Sequence, residues 1–156
     1  MTRPELTLKR GKIVNDFLHL EWTLSLIITY KYFKRADADF LAQVMCDDSM
    51  TFGLRMNILD KISPTYTDSQ KLRKLNKIRN YFAHCHLHVS VQQDSESFAV
   101  AKSVHPKKFA EFVDFEAFAS DFDASYETVR LSLLELLYEF GGKFEPFEGQ
   151  VEIRDE

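Results

Sequence analysis

The stretch KLRKLNKIRNYFAHCHLH, residues 71–88, combines an apolar face with a polar stripe at helical spacing. The apolar face has side chains three and four residues apart, namely Leu75, Ile78, Phe82 and Cys85. A second row follows similar steps within about 60° of helical arc and contains Arg73, Lys77, Asn80 and His84. The spacing predicts a helix over 69–86 that buries one face and presents cations, an amide and an imidazole on another.

The segments on either side predict further helices. Apolar residues recur at helical steps over 5–34, 37–46, 51–62 and 114–140. From 87 to 104 the pattern alternates instead around a polar turn, which predicts a β-hairpin or a pair of extended arms. We therefore predict an all-α fold in which one bundle of four to five helices spans 1–142, with the small hairpin insertion at 87–104 and a loose acidic tail at 143–156.

Three expectations about burial follow from these patterns. The first helix is apolar almost all round from Leu18 to Tyr32, which predicts its own domain on one side and a second protomer on the other. Cys46 and Cys85 lie in apolar helical context, so both are expected to be buried thiols outside any disulfide. The helix over 51–62 is expected to bury Phe52, Leu54, Met56, Ile58, Leu59 and Ile62.

The charge of the chain limits its partners. The 156 residues have a net charge of −4, which argues against non-specific coating of nucleic acid. The basic run at 71–79 and the six acidic residues of 111–127 fit either a charge-polarised molecule or ordinary solvated helix faces. There is no apolar leader and no apolar run of membrane-spanning length, so we expect a cytoplasmic protein that makes no membrane contact.

Familiar catalytic and cofactor motifs do not occur in the chain. Glycine-rich phosphate loops, the HExxH zinc motif and the GxSxG nucleophile motif are all missing from the sequence. The run His84-Cys85-His86-Leu87-His88 offers imidazoles at chelating spacing, but no second cluster supplies further ligands. We therefore predict no metal and no cofactor, which leaves RNYFAH, residues 79–84, as the candidate site.

This hexapeptide resembles the motif of the HEPN superfamily, small helical domains marked by R-x(4–6)-H, most often RNxxxH, at the end of a long helix. The segment IRNYFAHC at 78–85 matches the motif in spacing and in its apolar flanks, and the predicted helix order is similar to that of the family. One departure is visible: the branch of the family paired with a nucleotidyltransferase has R-x(4)-H-x-Y, whereas here His86 stands at the Tyr position. The sequence therefore does not support that form of neutralisation.

The resemblance implies a homodimer in which two motif helices meet and form one composite site from the Arg and His of both chains. Many such proteins are metal-independent endoribonucleases that act as toxins or in antiviral defence. For this chain the implied catalytic residues are Arg79, Asn80 and His84, the substrate is RNA, and an antitoxin or regulatory protein is a candidate partner.

The chemistry of the residues fits RNA cleavage. The neutral imidazole of His84 can take the proton of a ribose 2′-OH, and Arg79 can offset the charge on the phosphate oxygens. Asn80 lies one turn before His84 and can orient the imidazole or the phosphate. The residues expected to bind substrate are Arg73 and Lys77, which continue the stripe as a phosphate track, and Tyr81, which can stack on a base.

Each of these assignments has a structural alternative. Asn80 and His84 can form a polar pair that fixes a dimer interface, Arg79 can pair with Glu21 or Asp16, and Tyr81 can serve packing alone. A non-enzymatic dimeric regulatory module, similar to the mannitol operon repressor group, and a helical nucleotide-binding module both remain open at this point.

Overall fold

The computed structural model describes residues 3–84, 86–92, 95–101 and 112–143, with side chains described for 4–83 and 115–143. The chain is mostly helical there, as the sequence predicts. A short π-helical segment, Leu41–Met45, continues directly from the second helix. The helices are α1 (Arg3–Phe33), α2 (Ala38–Phe40), α3 (Phe52–Ile62), α4 (Ser69–His84) and α5 (Phe115–Glu139). The acidic tail predicted at 143–156 lies outside the described residues after Lys143.

Among the described residues, three strands lie between α4 and α5. Strand β1 (His86–Gln92) pairs antiparallel with β2 (Ser95–Ala101), and the short β3 (Phe112–Asp114) pairs with the other edge of β2. Strand β1 begins two residues after α4 ends, so α4 is shorter than the predicted 69–86. In the register, His86 lies opposite Ala101 and Gln92 opposite Ser95.

Helix α1 is the centre of the core. The run from Thr23 to Thr29 is buried all round by this one chain. Its hydroxyl groups are satisfied within the helix, because Thr23 donates to the carbonyl of His19 at 2.8 Å and Thr29 to that of Ser25 at 2.8 Å. The middle of the apolar span from Leu18 to Tyr32 is therefore covered within one chain, whereas Leu18 and Tyr32 themselves are exposed.

Helix α3 buries Phe52, Met56 and Leu59 as predicted, and Ile58 and Ile62 are partly buried. Leu54 is 42% exposed, whereas Arg55 is only 8% exposed and takes the place that the prediction gave to a leucine. The buried positions of α3 are Phe52, Arg55, Met56 and Leu59, which lie at steps of three, one and three along one helical face. Thr51 caps this helix by accepting a hydrogen bond from the backbone N–H of Leu54 at 3.2 Å.

The ends of the π-helical segment and of α1 and α5 have defined geometries. The amide of Cys46 donates to the carbonyl of Leu41, five residues earlier, at 2.9 Å, which is the hydrogen bond typical of a π-helix. Cys46 itself is exposed, so the prediction of a buried thiol at this position is wrong. Lys34 ends α1 in the left-handed region at φ 59°. Gly141 ends α5 at φ 82°, and the amide of Gly142 donates to the carbonyl of Leu137.

Among the described residues, no helix is both long enough and apolar enough to cross a lipid bilayer.

Candidate functional site

One predicted site residue of α4, Arg79, borders a groove against α1. This α1–α4 groove is defined by Arg10, Phe17 and Glu21 on α1 and by Arg79 and Ala83 on α4. The two helices run antiparallel, because Arg10 meets Ala83 near the end of α4 while Glu21, later in α1, lies beside the earlier Arg79. The groove therefore lies beside the helix end where the motif is found.

Arg79 is directed into this groove, with its side chain 19% exposed. Its guanidinium carbon lies 4.7 Å from the ring centroid of Phe17, within the range of a cation–π contact. One terminal nitrogen, Nη2, is 3.9 Å from Oε2 of Glu21, which is an ion pair but too long for a hydrogen bond. Arg79 Nε is buried and has no hydrogen-bond partner among the described residues. The pairing with Glu21 considered from the sequence is therefore present.

Glu21 is also bound to a second, more deeply buried cation. Its Oε1 accepts a hydrogen bond from Nη1 of Arg55 at 2.8 Å. Arg55 donates three further hydrogen bonds, from Nε to Ser25 Oγ at 3.1 Å and from its terminal nitrogens to the carbonyl oxygens of Met45 and Met50. One carboxylate thus lies between two arginines, and Arg55 connects α1 with the π-helical segment and with the loop before α3.

Sequence reasoning missed Arg55. The available signal was an arginine at an apolar position of α3 together with a glutamate interrupting the apolar surface of α1. Two opposite charges that each interrupt a buried face are a reason to expect a buried ion pair, because an isolated buried charge is far more costly than a paired one.

The polar stripe of α4 faces away from the core. Asn80 and Lys77 are exposed, and no ion pair engages Lys77 within the described part of the chain. Arg73 is partly exposed, and its Nη2 lies 2.5 Å from Oδ2 of Asp60 on α3. The first cation of the predicted phosphate track is therefore already bound to an acidic side chain. The described part of the predicted stripe thus lies at the surface of α4, with Arg73 paired to Asp60.

The two remaining predicted site residues are His84 and Tyr81, and only the side chain of Tyr81 is described. His84 is the last residue of α4, and its side chain lies outside the description. Tyr81 is 3% exposed, and its ring packs edge-on against Phe118 at a centroid distance of 5.1 Å. Neither face of a ring buried in this way is open to a base, so the packing alternative fits Tyr81 better than the predicted stacking role.

The acidic run of α5 lies beside basic residues of α1 and α4. Lys9 pairs with Asp123, and Lys74 Nζ lies 2.8 Å from Asp121 Oδ2. These contacts neutralise part of both runs along the borders of α5. Ion pairs between part-exposed side chains of neighbouring helices fit ordinary solvated helix faces better than a charge-polarised molecule.

A second recess lies between α1 and α5. It has a volume of about 290 Å³ and is lined by Asp16, His19, Thr23, Tyr126, Arg130 and Leu134. Its charged groups already have partners, because Asp16 pairs with Lys12 and Arg130 with Glu127. Burial and the nearby negative charge of Asp16 raise the pKa of the Tyr126 phenol.

No group of three or more His, Cys, Asp or Glu side chains suited to a metal ion occurs within the described residues. Comparisons of the chain with protein-family models, with curated proteins and with solved structures give no match. The resemblance to the HEPN superfamily therefore rests on the hexapeptide motif and on the order of the helices.

Proposed function

We propose that the protein is a metal-independent endoribonuclease of the HEPN type, acting as a toxin or antiviral-defence component, with Arg79, Asn80 and His84 of two protomers in one composite site. The observation that supports this most directly is the placement of Arg79. Its guanidinium is fixed against Phe17 and remains partly exposed, and its Nε has no hydrogen-bond partner among the described residues, one turn before the helix end that contains His84. This is the arrangement that phosphate recognition by an arginine needs.

In the proposed reaction, His84 accepts the proton of the ribose 2′-OH, and the 2′ oxygen attacks the adjacent phosphorus. The bond from phosphorus to the 5′ oxygen breaks, a proton goes to that leaving oxygen, and the other fragment keeps a 2′,3′-cyclic phosphate. Arg79 stabilises the added charge on the phosphate oxygens. Asn80 is exposed and free to orient either the phosphate or the imidazole.

The direction of Arg79 supports a site that is shared by two chains. In an ideal helix it lies about 140° round from His84, and in this chain it faces α1. A single helix therefore presents the arginine and the histidine to different sides. Two copies of α4 that meet near their ends bring the arginine of one chain toward the histidine of the other.

The test is RNA cleavage by the purified protein with a chelator present. We expect cleavage of single-stranded RNA to products with 2′,3′-cyclic phosphate ends. The cleavage rate should fall by about 100-fold or more in His84→Ala, and light scattering should show that this variant is still a dimer. His19→Ala is the matched control, since His19 is exposed on α1 beside the other recess, and it should keep full activity. Full activity in His84→Ala would sink the proposal.

A non-enzymatic dimeric module, similar to the mannitol operon repressor group, is the second candidate. It is favoured by the structural roles that account for two of the predicted site residues, namely the Glu21 contact of Arg79 and the burial of Tyr81. Wild-type protein that leaves RNA intact and captures one specific protein partner would favour this candidate.

A further inference from the structure

Among the described residues, Glu21 and the two arginines that contact it form a cluster of unbalanced charge. Arg55 and Arg79 are cations and Glu21 is the carboxylate between them, which gives these three residues a net charge of +1. All three side chains are at most 20% exposed. A partly buried group of charges with an excess cation attracts an anion, because water screens it poorly.

The two arginines differ in how far their donors are used. Arg55 has four acceptors around it, at Glu21, Ser25, Met45 and Met50. Within the described residues, Arg79 has the 3.9 Å ion pair with Glu21 and the cation–π contact with Phe17, and its Nε lacks a hydrogen-bond partner. The excess charge is therefore located at Arg79, the arginine with unused donors.

We propose that Glu21, held in place by Arg55, is an internal counter-ion that competes with an external oxyanion for Arg79. A phosphate oxygen that approaches Arg79 gains hydrogen bonds that Glu21 does not make at 3.9 Å. Glu21 cannot follow Arg79 to the ligand, because its other oxygen is bonded to Arg55. Glu21 thus acts through Arg79 and sets how tightly the site binds phosphate.

The substitution Glu21→Gln isolates this role. Glutamine keeps an oxygen that can accept from Arg55, and removes the negative charge beside Arg79. At about 4 Å, the attraction between Glu21 and Arg79 corresponds to about a five-fold change in affinity even with the screening of bulk water. Glu21→Gln should therefore lower the dissociation constant for an oxyanion by a factor of about five or more. Glu127→Gln is the matched control, since it makes the same charge change at another arginine pair, that of Arg130 on α5.

The probes are inorganic phosphate and a short single-stranded oligoribonucleotide with 2′-O-methyl riboses, which lack the attacking hydroxyl. We expect both to bind more tightly to Glu21→Gln than to wild type, and the gain to be lost in Glu21→Gln/Arg79→Gln. Equal affinities for Glu21→Gln and Glu127→Gln, or a gain that survives loss of Arg79, would overturn the proposal. If only the oligonucleotide binds more tightly to Glu21→Gln, the oxyanion recognised by Arg79 is a phosphate of RNA and not free phosphate.

A measurement on the wild-type protein covers the case in which Glu21→Gln does not fold. Inorganic phosphate should shift the Arg79 Nε–H resonance in ¹⁵N-resolved NMR, assigned by its loss in Arg79→Lys, while chloride at equal ionic strength should not. No shift with phosphate would overturn the proposal. The inference shares Arg79 with the proposed nuclease but needs no cleavage, so oxyanion binding by a protein that leaves RNA intact would reject the nuclease and keep the role of Glu21.

Discussion

Arg10 Nη2 donates a hydrogen bond to the backbone carbonyl oxygen of Ala83 at 3.1 Å. The contact joins an early turn of α1 to the last turn of α4, where carbonyl groups have no partner within their own helix. A cation at this end of a helix also favours the helix dipole. Arg10 was not among the residues predicted from the sequence, yet it fixes the helix end that contains the motif.

Replacing Arg10 should loosen the end of α4. We expect Arg10→Met to lower the free energy of unfolding by about 1–3 kcal/mol, because a charged donor to a backbone carbonyl is lost. Urea unfolding followed by circular dichroism gives the value. Lys61→Met, which removes an exposed cation from the last turn of α3, should change it by less than about 0.5 kcal/mol. Equal effects of the two variants would contradict the role given to Arg10.

Loss of Arg55 should be among the most damaging single changes. Arg55→Met leaves the Glu21 carboxylate without its hydrogen-bonded cation and leaves two carbonyl oxygens without their donor, so we expect a loss of about 3–5 kcal/mol. Arg73→Met breaks the half-exposed pair with Asp60 and should cost less than about 1 kcal/mol. Chemical denaturation of both variants compares them directly, and a loss below about 1 kcal/mol for Arg55→Met would count against a structural cluster.

The raised pKa of Tyr66 should make the free energy of unfolding decrease at alkaline pH. Burial raises the pKa of its phenol to about 12, the nearby charge of Asp68 adds to this, and the 2.9 Å hydrogen bond with Ser132 acts in the opposite direction. The unfolded phenol ionises near pH 10, so its contribution is complete below about pH 10 and is lost as the pH rises to about 12. After allowance for partial exposure, we expect a loss on the order of 1–2 kcal/mol.

The measurement is urea unfolding at about pH 9 and at about pH 11.5, in wild type and in Tyr66→Phe. Phenylalanine keeps the ring and has no proton to lose, so the variant should show a smaller decrease between the two pH values. An identical decrease in both proteins would assign the effect to other groups.

The left-handed backbone of Lys34 offers a gain in stability. A side chain at φ 59° is disfavoured, and glycine adopts this conformation freely. We expect Lys34→Gly to raise the free energy of unfolding by about 0.5–1 kcal/mol, read as a higher midpoint of thermal unfolding. Lys34→Ala keeps the β-carbon and should show no comparable gain. A lower midpoint for the glycine variant would mean that the side chain itself makes a stabilising contact.

The helices of this chain were predictable because each buries an apolar stripe at helical spacing. Their positions agree with the structure to within a few residues. The set of buried side chains was predicted less well where an apolar stripe contains a charge. Arg55 was missed because the pattern of α3 was read by counting apolar residues, which favoured Leu54. The five-residue hydrogen bond from Cys46 to Leu41 has no sequence pattern of its own, so the π-helical segment was read as an ordinary helix.

The positions of the candidate residues along α4 could be predicted from the sequence, but their contacts could not. The stripe at Lys77 and Asn80 follows from helical spacing alone. The position of Arg79 depends on α1, because Phe17 and Glu21 hold its guanidinium in the groove. Such contacts link residues about 60 positions apart in the sequence, and no local pattern reports them.

The place of α5 in the chain affects how the protein folds during synthesis. Its inward face, including Phe115, Phe122 and Val129, completes a core whose other walls are made from much earlier segments. A growing chain must therefore carry α1 and α4 with that apolar surface uncovered, and with Lys9 and Lys74 lacking their acidic partners, until α5 leaves the ribosome. Aggregation of truncated nascent chains, and their binding by chaperones, should consequently fall sharply once α5 has emerged.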